Sequence, residues 1–143
     1  MVTSQLWAAQ EALYALLQGT NLGKAKLHLG TPTEYTDDEV WVDGQVDDWS
    51  GEYRVSGLAA KDEDFVLQVK VMCNRLTTDY LLPRNAVKAF GLLIEGTINA
   101  DFTLGGTVML ATPRSFRLED TLTDERHRAV KLTMLVACSA WAT

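Results

Sequence analysis

Residues 99–108, Asn-Ala-Asp-Phe-Thr-Leu-Gly-Gly-Thr-Val, constrain the fold most, because they must stop a long amphipathic helix and start a strand within a few positions. Upstream, Ala86, Phe90, Leu93, Ile94 and Ile98 recur at the spacing of one buried helix face. Downstream the pattern turns extended. Gly105 and Gly106 reach positive-φ conformations that bulkier residues enter only with strain, so a sharp redirection of the chain is expected there. A phosphate-binding loop is not expected. Dinucleotide and Walker loops place more glycines, or a Gly-Lys-Ser/Thr end, between a strand and a following helix, whereas here a helix comes first.

The rest of the chain can be ordered around this turn. Leu6, Ala9, Leu13, Leu16 and Leu17 predict a helix over residues 3–18, capped by Thr3 or Ser4 and ended at Gly19. Residues 24–29 alternate as a half-buried strand, with His28 on the side expected to meet solvent or a neighbouring subunit. A loop around Pro32 leads to a strand over 39–43, a turn at Asp43-Gly44, and extended structure over 45–57. Asp62-Glu63-Asp64 is expected to be a solvated turn rather than a metal site, because consecutive acids point in different directions.

Phe65, Leu67, Val69, Val71 and Cys73 then alternate as a central strand. Pro83 is tolerable in the first turn of a helix running to Ile98, and Gly91 within it marks either close packing or a tolerated defect. Runs at 107–116 and 128–141 predict a hairpin joined by a charged connector over 118–127. Both faces of the last run are partly apolar, so one is expected to lie under helices and the other under a partner. The fold class expected is α+β, with two long helices on one face of a mainly antiparallel sheet and a single domain over 1–143.

At 143 residues the chain is long enough to bury about two-thirds of its unfolded surface around one core. Its 19 acidic and 13 basic residues give a net charge of −6, which disfavours binding driven by phosphate contacts without preventing DNA from passing nearby. The amino terminus lacks the features of a secretory signal, and no stretch approaches ~20 uninterrupted apolar residues, so a cytoplasmic site of synthesis and no membrane association are expected. Cys73 and Cys138 lack Cys-x-x-Cys spacing and fall in strands, as buried free thiols do.

Catalytic signals are thin. The two histidines, His28 and His127, sit in no motif that joins a nucleophile, a base and an orienting acid, so neither enzyme activity nor a metal or cofactor is expected. His127 lies between Arg126 and Arg128, in a basic patch suited to a subunit contact. Trp41, Trp49 and Trp141 have the amphipathic character of interface aromatics. An alternative is a small-molecule-binding α+β domain with a pocket lined by Trp41, Phe65 and Phe90.

The order helix, strands, helix, then Leu104, Gly105, Gly106 and Val108 and a charged hairpin resembles the tail terminator, or tail completion, proteins of long-tailed bacteriophages. Element order carries the resemblance over nearly the whole chain, with little contribution from residues 39–60. It implies a structural subunit that forms a homo-oligomer, a six-membered ring on the head-proximal end of the tail tube. Such a ring stops tube growth and joins tail to head, with the tail tube protein and a head–tail connector protein as partners. DNA would pass through its bore without specific binding, and the protein would end in the virion tail. Another neck or minor tail protein is the nearer rival. Glu119, Asp120, Asp124, Glu125, Arg126 and Arg128 are the candidate assembly contacts, because both signs of charge lie in one projecting segment.

Overall fold

Eight elements follow the chain in a computed structural model that describes residues 5–33, 38–43, 54–56, 62–122 and 124–141. They are α1 (Leu6–Gln18), β1 (Lys26–Leu29), β2 (Asp38–Asp43), β3 (Arg54–Ser56), β4 (Asp62–Leu76), α2 (Leu81–Ala100), β5 (Leu110–Leu122) and β6 (His127–Trp141). The sheet runs β1-β2-β4-β6-β5, with β3 extending the β2 side of β4. Every pairing is antiparallel except β1 with β2. The fold is α+β, with both helices against the sheet.

The period of two in β4 decides which face the helices cover. Phe65, Leu67, Val69, Val71 and Cys73 share one face with Val40 and Val42 of β2 and with Val130, Leu132, Met134, Val136 and Cys138 of β6. Ala9, Leu13 and Leu17 of α1 and Val87, Ile94 and Ile98 of α2 close that core. Each fully buried leucine, valine or isoleucine there contributes about 1.5–3 kcal/mol relative to exposure.

The buried stripe of α2 is Pro83, Val87, Gly91, Ile94 and Ile98. It is rotated from the expected one: Ala86 and Phe90 are only partly buried and Leu93 is exposed. The reason is Gly91, where an added Cβ would lie 2.8 Å from Leu132 Cδ2. Close packing of helix on sheet, rather than a tolerated defect, explains this glycine. Pro83 does sit in the first turn, preceded by Asp79, whose Oδ1 accepts the Leu81 amide at 3.0 Å.

Three further expectations are corrected. Asp62-Glu63-Asp64 is strand, paired with both β3 and β6, and the Ser139 hydroxyl donates to Asp64 Oδ1 at 2.9 Å. The charged connector is shorter than expected, because β5 continues to Leu122 and β6 begins at His127. His28 does not simply face solvent: its Nε2 donates to Oε2 of the buried Glu39 at 2.6 Å. The expected caps at Thr3 and Ser4, the Asp43-Gly44 turn, and most of the extended segment over 45–57, including Trp49, lie outside the described residues.

Candidate assembly interface

The turn after α2 aims β5. Asp101 Oδ2 accepts the Gly105 amide at 3.2 Å, and Thr103 O accepts the Gly106 and Val108 amides at 3.0 and 3.1 Å. These bonds wind the chain into a left-handed run at Leu104 (φ 47°), Gly105 (φ 67°) and Gly106 (φ 86°). Leucine rarely adopts such a conformation, but here it drives Leu104 fully into the core beside Val108. Leu104 and Val108 are therefore anchors, whereas the two glycines are exposed pivots. The Met109 amide then donates to Ser139 O at 2.8 Å and sets the register of β5 on β6.

Beyond a bulge between Pro113 and Ser115, every residue of β5 from Arg114 onward is exposed. This half belongs to the end strand of the sheet. The six candidate charges, carried by β5, the hairpin tip and the start of β6, do not form one cluster. Glu119 lies 3.4 Å from Arg117 and 3.5 Å from Lys131, on the face away from the helices.

On the helix side, Arg128 grips Asp120 with two bonds, Nε to Oδ1 at 2.8 Å and Nη2 to Oδ2 at 2.5 Å. The same guanidinium donates to Thr78 O at 2.8 Å and lies 5.4 Å over the Tyr80 ring. This contact holds the Asp120 carboxyl below its ordinary range and raises Arg128. Asp124 closes the tip by accepting the Arg126 and His127 amides at 2.7 and 2.8 Å, and those donors lower its pKa. Glu125 and Arg126 are left with no side-chain partner among the described residues. Arg128 and Asp120 thus fasten the hairpin to the start of α2, whereas Glu125 and Arg126 are the charges presented outward.

An apolar groove of about 300 Å³ runs between α2 and the exposed half of β5. Val87, Gly91, Leu92, Phe116, Leu118 and Leu132 line it, and Arg84, Lys88 and Glu95 form its rim. Phe116 and Leu118 point to the helix side in register with Met134 and Leu132, yet each remains 50% exposed. Sequence reading missed this groove. Its signal was present in the apolar parity of Phe116 and Leu118, within a segment whose charges made it look like a connector.

A second, polar hollow of about 540 Å³ lies at the end of the sheet, between Lys24, Lys26, Asp38, Asn74, Arg75, Leu76 and His127. Arg75 spans it, bonding Asp38 at 2.5 and 3.2 Å. Burial and the nearby Asp38 push the Cys73 thiol up, and burial pushes Cys138 up to about 12, so both free cysteines are held as neutral thiols rather than nucleophiles. Among the described residues no three His, Cys, Asp or Glu side chains converge as metal ligands.

The face of the sheet away from the helices is buried at its centre, while Thr133, Leu135 and Ala137 of β6 stay partly exposed. Glu39, Trp41, Val66, Gln68 and Lys70 are already buried there within the subunit. Gln68 is 0% exposed, and neither atom of its amide has a partner among the described residues. Trp41 pairs with Lys70 on this face, opposite Phe65, so Trp41, Phe65 and Phe90 cannot line one pocket. Among the described residues no helix is long and apolar enough to cross a membrane. No protein-family model matches the chain, and no curated protein matches it.

Proposed function

We propose that the protein is a phage tail terminator, a structural subunit that assembles into a six-membered ring on the head-proximal end of the tail tube. The observation that carries this reading is the exposed half of β5, a long end strand with an apolar groove along its helix side. An isolated subunit gains nothing from such a surface, which invites strand pairing and aggregation unless a partner covers it. A ring covers it by heterologous contact, one patch of each copy meeting a different patch of the next. The resemblance of the Leu104, Gly105, Gly106, Val108 turn and of the element order to that family supplies the identity of the ring.

In this reading the tail tube protein and the head–tail connector bind the two rims of the ring, and Glu125 and Arg126 at the hairpin tip contribute to one rim. The net charge of −6 suits a bore through which DNA passes without adhesion. No catalytic step, metal or cofactor enters the role. The test adds purified protein to polymerising tail tubes and images them by negative stain. Rings at one tube end, with growth arrested, are expected. Tubes that lengthen at the same rate with bare ends overturn the proposal.

A further inference from the structure

The geometry points to a specific contact between copies: Trp7 of one subunit seats in the groove between α2 and β5 of the next. This inference rests on the ring assembly proposed above and names the surfaces that build it.

α1 packs over β1 and β2 at one end of the sheet, whereas α2 packs over β4, β6 and β5 at the other. Trp7 and Tyr14 are two turns apart and share one stripe of α1. Tyr14 lines one hollow with Leu22, Ala25 and Leu27, so this stripe faces the β1 end. Trp7 is 66% exposed, more than any other aromatic among the described residues. Each copy therefore carries a protruding indole at one lateral end and an apolar groove at the other, both on the helix side of the sheet.

Setting the β1 end of one copy against the β5 end of the next brings indole and groove together with neither copy inverted. Repeating the step gives the heterologous contact from which rings close. Charge agrees with this direction. Glu11, one turn from Trp7, belongs to the same stripe, and the groove rim carries Arg84 and Lys88. The third rim charge, Glu95, offers an acceptor for the indole N–H, which needs one once it is buried. Leu92, 60% exposed, and Leu118, 50% exposed, are the apolar surfaces an aromatic anchor would cover.

The test is sedimentation of the full chain with two variants, Trp7→Glu and Leu92→Glu. Both positions are more than half exposed on helices, so folding is retained, as far-UV dichroism and the urea midpoint verify. The wild type is expected to form rings, while each variant needs a concentration at least about 30-fold higher, the loss typical of a removed aromatic anchor. An equimolar mixture of the two is expected to give a one-to-one dimer, because only one intact Trp7 and one intact groove remain to meet.

Should Leu92→Glu not fold, Lys88→Glu and Glu11→Lys replace the pair, each weakening assembly and the two changes together in one chain restoring it. Variants that form rings like the wild type overturn the contact while leaving the ring itself standing. If those rings then fail to cap tail tubes, the groove takes the tube protein instead of a second copy, and the inference is again overturned. A mixture that stays monomeric excludes the head-to-tail direction. A wild type that never leaves the monomer removes the ring reading along with the contact.

Discussion

β4 and β5 are both long strands of one sheet, and their surroundings differ completely. From Phe65 to Val71 every residue of β4 is buried, on the helix face and on the other face alike. From Arg114 to Leu122 every residue of β5 is exposed. Yet both strands carry alternating apolar residues, Phe65, Leu67 and Val69 in one and Phe116 and Leu118 in the other. Alternation thus marks one face of a strand but does not say whether the subunit buries it. In β4 the helix face is covered by the subunit's own helices, whereas in β5 Phe116 and Leu118 stay half exposed.

The largest difference between the two strands is expected in core truncation. Leu67→Ala removes a fully buried side chain and should cost about 2–5 kcal/mol in urea unfolding, whereas Leu118→Ala should cost less than ~1 kcal/mol. Equal losses would show that the outer half of β5 is part of the folding core. Next comes the seam between them. Gly91→Leu drives a side chain into Leu132 and should destabilise by about 1–3 kcal/mol, with groove-dependent assembly lost as well; an unchanged midpoint would mean that α2 rises off the sheet without penalty.

Gly105→Val tests the pivot that aims β5. Its φ is +67° and nothing lies within 4 Å of an added Cβ, so the cost is backbone strain alone, about 1–2 kcal/mol. An unchanged urea midpoint and slope would show that the turn does not need glycine there.

The smallest effect concerns the tie between β5 and α2. Asp120 has a lowered pKa in the folded state because Arg128 bonds its carboxylate. A depressed folded pKa stabilises above the unfolded pKa, and the contribution disappears as pH falls through the folded value. Carboxyl NMR titration should find the Asp120 midpoint below 3.8, rising toward that ordinary value in Arg128→Gln. A midpoint indifferent to Arg128 would mean that the hairpin is not fastened in this way. Arg126→Glu, by contrast, should leave folding within ~0.5 kcal/mol of the parent and act on assembly alone.

Much of the architecture was legible because it depends on local periodicity. The 3.6-residue rhythm marks both helices and the two-residue rhythm marks β4 and β6, and Gly105-Gly106 sits where the chain must turn. Features that depend on strand pairing were not legible. The His28–Glu39 bond requires β1 to lie parallel to β2 in one register, which no local pattern encodes. The burial of Trp41 and Gln68 on the far face is likewise not encoded in local parity. The charges of residues 119–128 look alike as a string, yet pairing divides them into the Arg128–Asp120 clamp, the Asp124 cap and the outward Glu125 and Arg126. The groove escaped notice because it joins α2 to β5 across a turn, with Gly91, close against Leu132, in its floor.

Cover of the outer half of β5 by assembly is open to test by amide hydrogen exchange compared between dilute and concentrated protein. The amides of residues 114–122 and of the α1 segment around Trp7 are expected to become protected on concentration, while those of β4 exchange equally slowly in both samples. Exchange over 114–122 that is fast and identical in the two samples, under conditions where particles larger than the subunit are present, would contradict it.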